Sequence, residues 1–148
     1  MKNNIPFVIA IDGPAGSGKG TIAKKISTKL NYHYLDSGAI YRVIAYAAKK
    51  KNINTESIEE LINLVKHLKI EFFENNEWLN GNKVSEFIRV ESIGKLASQI
   101  AIHDKLRTLL LEYQRSFCKP PGLVAEGRDM TSVVFPNANL KIYLSASV

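Results

Sequence analysis

Residues 7–11, Phe-Val-Ile-Ala-Ile, form an unbroken apolar run that is too short for a helix and stops at Asp12-Gly13-Pro14. That pattern predicts a strand buried on both faces, and hence a parallel sheet. From Thr21 to Leu30, Ile22, Ala23, Ile26 and Leu30 recur at intervals of three and four, which predicts a helix packed through that face and stopped at Asn31. Tyr32–Leu35 predicts a short second strand. Beyond Asp36-Ser37-Gly38, read as a turn, Ile40, Val43, Ile44 and Ala47 predict the inward face of a helix over about 39–50. Strand, glycine-rich loop, helix, strand, helix is an α/β order.

Further along, Thr55-Glu56-Ser57 and the acids after it predict a capped helix start running to about Leu68. Lys69–Phe73, Glu77–Leu79 and Lys83-Val84, separated by Asn75-Asn76 and Asn80-Gly81, predict a small antiparallel ribbon. Two amphipathic helices follow over 88–102 and 105–117, with Ile93, Leu96, Ala97, Ile100, Leu106, Leu109, Leu110 and Tyr113 buried, before Pro120-Pro121-Gly122. Leu123-Val124-Ala125 and Leu140–Leu144 are two more apolar strands. The chain thus divides into a first part of a core (1–52), a mostly helical insert (53–118) and a second part of the core (119–148).

Composition narrows the class. At 148 residues, 45% apolar and 23% charged, the chain suits one compact unit and excludes collagen-like, mucin-like and wholly disordered readings. No apolar run approaches the roughly 20 residues of a membrane span, and Met1-Lys-Asn-Asn-Ile-Pro is unlike a signal peptide, so a soluble, cytoplasmic protein is expected. The single cysteine, Cys118, excludes an internal disulfide or a cysteine-rich zinc site and suits a half-buried thiol in a reducing compartment. A net charge of +6 attracts anions without choosing among nucleotides, nucleic acid and lipid headgroups. The lysines at 24, 25, 29 and 49–51 lack interleaved aromatics, so they read as solvated helix faces and ends rather than a nucleic-acid patch.

The chemistry begins at Gly13-Pro14-Ala15-Gly16-Ser17-Gly18-Lys19-Gly20-Thr21, which follows a buried strand and opens a helix. Glycines allow successive amides to turn around a phosphate chain, Lys19 supplies a mobile cation for the outer phosphates, and the helix start adds its positive end. The usual pattern places Ser or Thr directly after the lysine to hold magnesium; here Gly20 stands there and Thr21 comes next, so no protein ligand for a metal is assigned. Asp36-Ser37-Gly38-Ala39-Ile40-Tyr41-Arg42 combines a hydroxyl and amides at a helix start with an arginine about one turn on, a combination able to hold a second phosphate group. Capping by Asp36 or Ser37 and a surface role for Arg42 is the plain structural alternative. Glu126-Gly127-Arg128-Asp129-Met130 follows an apolar triplet, placing charges at a strand's C-terminal end, where parallel sheets bind ligands. A turn-closing ion pair is the alternative there.

Gly-Lys-Gly-Thr resembles the nucleoside monophosphate kinases. Together with Asp-Ser-Gly-Ala-Ile-Tyr-Arg at 36–42, Glu-Gly-Arg-Asp-Met at 126–130 and Val-Val-Phe-Pro-Asn-Ala at 133–138, it resembles the bacterial cytidylate kinase family over essentially the whole chain. The resemblance implies a P-loop kinase three-layer α/β fold with a parallel sheet and a mostly helical monophosphate-binding insert. It implies transfer of the γ-phosphate of ATP to CMP or dCMP with Mg2+, in a cytoplasmic monomer acting on small nucleotides and not on nucleic acid or membrane. It gives Ser37, Tyr41, Arg42, Arg128 and Asp129 to the acceptor nucleotide, adds Ser98 and Arg107 as base contacts, and makes Lys19 and Arg128 the catalytic cations.

Phosphoryl transfer asks mainly for alignment and positive charge, so these groups suffice without a covalent nucleophile. A carboxylate such as Asp129 favours the amino group of cytosine over the carbonyl of uracil. The family also carries an arginine-rich lid and a final strand and helix, which the resemblance leaves absent here, so a weakly active or inactive kinase fragment is one alternative. Another P-loop kinase, such as an adenylate or shikimate kinase, shares the loop without the other two motifs. A nucleic-acid-binding protein is the non-enzymatic alternative, resting on charge alone.

Overall fold

Strand β1 (Phe7–Asp12) is buried from Val8 onward and lies between β6 (Gly122–Gly127) and β7 (Leu140–Tyr143); β2 (His33–Asp36) lies beyond β6. All three pairings in this β2-β6-β1-β7 sheet are parallel, as the apolar runs of the central strands β1 and β6 predict, whereas edge strand β7 is exposed except at half-buried Ile142. The computed structural model describes residues 5–145. Ile9, Ile11, Val124 and Ala23 form a buried cluster. Each fully buried isoleucine or leucine contributes about 1.5–3 kcal/mol by removal from water.

Helix α1 (Lys19–Leu30) starts at Gly18 and ends at Asn31, whose φ of 55° is the left-handed conformation of a helix stop. Its buried face differs from the expected one. Ile22 and Leu30 are 39% and 45% exposed, whereas Ala23 and Ser27 are buried and Ile26 is half-buried. At about 100° per residue, Gly20, Ala23 and Ser27 share one stripe. These small side chains let the helix lie close on the sheet, and the larger residues fall to the side.

Helix α2 (Ser37–Lys50) begins directly after β2, so the turn expected at Asp36-Ser37-Gly38 is the last residue of a strand followed by the first two of a helix. Ile40, Val43, Ile44 and Ala47 are buried as predicted. Helix α3 (Ile58–Val65) is capped by Ser57, whose hydroxyl accepts the Glu60 N–H at 3.4 Å, and stops short of Leu68. The ribbon is present as β3 (Ile70–Phe73), β4 (Asn76–Leu79) and β5 (Asn82–Lys83). Helix α4 (Ser85–Ile88) is a separate turn before α5 (Glu91–Ile100), and α6 runs from Asp104 to Arg115. Of the positions expected inside on α5 and α6, Leu96, Leu109 and Tyr113 are half-buried and the others are buried.

The chain forms two compact units, one of residues up to Ser37 together with those from Glu112 onward, the other Gly38–Leu111. The expected insert, 53–118, overlaps the second unit without sharing its edges. Among the described residues, no helix is long and apolar enough to cross a membrane.

Candidate active site

In the first unit the parallel sheet sends the C-terminal ends of β2, β6 and β1 to one edge, and the three sequence motifs begin there. At the end of β1 the loop turns through Gly16 and Gly18 at φ 78° and 83°. A Cβ would meet nothing within 4 Å at either glycine, so backbone conformation rather than crowding requires them. The buried Ser17 hydroxyl has no hydrogen-bond partner among the described residues. An orphaned donor inside a phosphate-type loop fits an anion's oxygen.

Beside the loop, β6 extends two residues beyond the expected Leu123-Val124-Ala125. Glu126 therefore lies within the strand, not just past its end, at 4% exposure and opposite Asp36 in the register. The Tyr34 hydroxyl donates to its carboxylate. Burial pushes the Glu126 carboxyl above the ordinary range, and the neighbouring Asp36 charge adds to that shift; the Tyr34 hydrogen bond and the Lys19 and Lys24 charges oppose it. Gly20 faces the same carboxylate: a Cβ there would lie 3.1 Å from Glu126 Oε2.

Ser37, 7% exposed, opens α2 against Gly127; a Cβ on that glycine would lie 3.0 Å from Ser37 Cβ. The structure thus brings Ser37 beside the Gly-Arg-Asp segment. Arg128 is exposed and Asp129 half-buried immediately beyond the strand's end. Next comes an unpredicted π-helical segment, Met130–Val134. Its first two N–H groups donate to the carboxylate of Asp12, which sequence reasoning treated only as a strand end.

In the second unit Arg42 and Ser98 meet at Gly94. Arg42 Nη1 donates to the Ile88 carbonyl at 2.9 Å, its Nη2 would lie 3.0 Å from a Cβ on Gly94, and the Ser98 hydroxyl donates to the Gly94 carbonyl at 3.2 Å. Tyr41 is half-buried on α2, while Arg107 is exposed near the start of α6, its guanidinium donating to the Ala101 carbonyl at 3.4 Å. Cys118 is half-buried, and burial raises its thiol pKa, which suits an inert thiol. Among the described residues no group of three or more His, Cys, Asp or Glu could hold a metal.

A glycine-rich loop between the first strand and first helix of a parallel sheet, with arginine and carboxylate at a neighbouring strand's end, defines the P-loop kinase fold. The family model for cytidylate kinase matches residues 9–148. The chain is 51% identical over 146 residues to a cytidylate kinase of Nitrosomonas europaea, covering 99% of this chain and 65% of that protein. It is 51% identical over 144 residues to one of Polynucleobacter necessarius (97% and 67%), and 49% identical over 141 residues to one of Cupriavidus necator (95% and 64%). The chain belongs to the cytidylate kinase family and spans about two thirds of the length of these curated relatives.

Proposed function

We propose that the chain carries the donor loop and acceptor groups of an ATP-dependent kinase that phosphorylates CMP or dCMP. The observation that supports this most directly is the convergence, at one sheet edge, of the Gly13–Thr21 loop, Ser37 and the Gly127-Arg128-Asp129 segment. Loop amides, the Ser17 hydroxyl and the Lys19 ammonium hold the ATP phosphates, and Thr21 adds a hydroxyl. Ser37, Arg42 and Arg128 hold the acceptor phosphate and sugar, and Asp129 accepts from the cytosine amino group. Tyr41, Ser98 and Arg107 complete the acceptor's surroundings.

Transfer to the acceptor oxygen concentrates negative charge on the migrating phosphoryl group, which Lys19 and Arg128 offset as catalytic cations. Mg2+, when bound with ATP, neutralises phosphate charge. Gly20 offers it no hydroxyl, but the adjacent Asp36 and Glu126 supply hard carboxylate oxygens suited to it or its water shell. The proposed setting is a cytoplasmic monomer acting on free nucleotides. Nucleic acid and membrane are not among the proposed partners; Lys24 and Lys50 lie over the Tyr34 and Tyr46 rings of their own units.

Calorimetric titration with CMP, dCMP, UMP, AMP and shikimate tests the reading. CMP and dCMP should bind at least ~10-fold more tightly than the others, as expected for a site whose buried polar group is paired by one base and left unpaired by another. Equal affinities, or preference for AMP or shikimate, would overturn the acceptor assignment.

A further inference from the structure

The two residues assigned to the acceptor, Arg128 and Asp129, occupy a short span that is tied at both ends to the entrance of the phosphate loop. On one side the Gly13 N–H donates to the Gly127 carbonyl at 3.2 Å. On the other, the Asp12 carboxylate accepts the Met130 N–H at 2.8 Å, the Thr131 N–H at 2.9 Å and the Thr131 hydroxyl at 2.6 Å. Asp12 is 2% exposed, and its own carbonyl accepts the Leu144 N–H at 2.8 Å. A buried carboxylate that accepts three short hydrogen bonds is held in a single geometry, and bonds to a charged acceptor are about twice as strong as neutral ones.

The far end of the π-helical segment is fixed as well. Arg115 donates from Nε to the Val134 carbonyl at 2.9 Å and from Nη2 to the Val133 carbonyl at 3.0 Å. An acid therefore satisfies the free amides at the segment's start, and a guanidinium satisfies the free carbonyls at its end, the arrangement that suits both hydrogen bonding and the backbone dipole. Fully buried Met130 adds an apolar anchor between them. Exposed Arg128 and half-buried Asp129 lie between these two fixed points.

We infer that Asp12 is a positioning residue for the acceptor: through Met130 and Thr131 it sets where Arg128 and Asp129 stand relative to the phosphate loop. This rests on the acceptor role proposed for that pair. It assigns Asp12 no contact with either nucleotide. Loss of the clamp should therefore weaken acceptor binding while leaving ATP binding at the loop largely intact.

The test compares the unsubstituted chain with Asp12→Asn and Thr131→Val by calorimetric titration with CMP and, separately, with ATP. Amide exchange at Met130 and Thr131 is followed in the same samples. Asp12→Asn, which cannot accept all three bonds as an anion, should weaken CMP by ~10-fold or more, the scale of one charge-assisted hydrogen bond, and change ATP by less than ~2-fold. Thr131→Val removes one donor and should weaken CMP by ~3-fold with the fold retained, so it decides the matter if the Asp12 variant does not fold. Both variants should speed exchange at residues 130 and 131. Unchanged CMP affinity, or equal losses for CMP and ATP, overturns the positioning role. Failure of the unsubstituted chain to bind CMP overturns the acceptor reading itself, and the premise of the inference with it.

Discussion

A side chain at residue 20 and the carboxylate of Glu126 would claim the same space: a Cβ on Gly20 would lie 3.1 Å from Glu126 Oε2 and 3.6 Å from Oε1. The Tyr34 hydroxyl donates to that same oxygen, Oε2, which restrains the carboxylate where it stands. The missing hydroxyl residue after the loop lysine thus has a steric cause. A glutamate buried in β6 crowds the Cβ that a serine or threonine would bring to this position.

Gly20→Ser should accordingly destabilise the chain by about 1–3 kcal/mol, the usual penalty for overpacking. In a Glu126→Ala background the same change should be close to neutral, because the obstructing carboxylate is gone. Denaturant unfolding of the two single variants and the double variant measures the coupling, expected at about 1 kcal/mol or more for groups in contact. Additive effects would show that Gly20 answers to something else.

The raised carboxyl of Glu126 makes a signed prediction about pH. A folded-state value above the unfolded one means that the native chain holds this proton more tightly. Stability therefore falls as pH rises from the ordinary carboxylate value through the folded value, and the cost is fully present above both. Each unit of upward shift corresponds to about 1.4 kcal/mol. Glu126→Gln, which keeps an acceptor for Tyr34 and has no charge to bury, should match the unsubstituted chain at about pH 4, near the unperturbed carboxylate value, and melt higher at neutral pH. Thermal melts across that range check it; a Gln variant that melts lower at neutral pH would show that the charge is stabilising.

Gly94→Ala separates fold from site in the second unit. Alanine in a helix gains up to about 1 kcal/mol over glycine, so α5 should not be weakened. The new methyl would nevertheless stand 3.0 Å from Arg42 Nη2 and push the guanidinium aside. Melting temperature should hold or rise while CMP affinity, measured by calorimetry, falls by ~10-fold or more, about the loss expected for a displaced charged hydrogen bond. Unchanged CMP affinity would remove Arg42 from the acceptor's contacts.

Periodicity and local composition read most of the first unit correctly because they report short-range physics. An apolar run such as 7–11 has one way to hide both faces, and a glycine loop between strand and helix has one common use. The face of α1 was misread for a reason of the same kind. Hydropathy gave weight to Ile22 and Leu30, whereas close packing on the sheet selected Ala23 and Ser27, whose small volume no hydropathy pattern rewards. Of the site, Ser37 and the Arg128-Asp129 segment could be read from motifs, and the parallel sheet accounts for their nearness through the common edge of β2 and β6.

Asp12, Glu126 and Gly94 carried no signal of their own. Asp12 ends an apolar strand as many acids do; its three donors lie 118 and 119 residues further along the chain. Glu126 reads from the sequence as a charge just past the apolar triplet; strand pairing carries β6 two residues further and buries it against Tyr34 and Gly20. Linear order specifies which backbone conformations and faces are available locally. Which side chains then share a hydrogen bond or a few cubic ångströms of space is settled when distant segments pair, because those energies act only at contact.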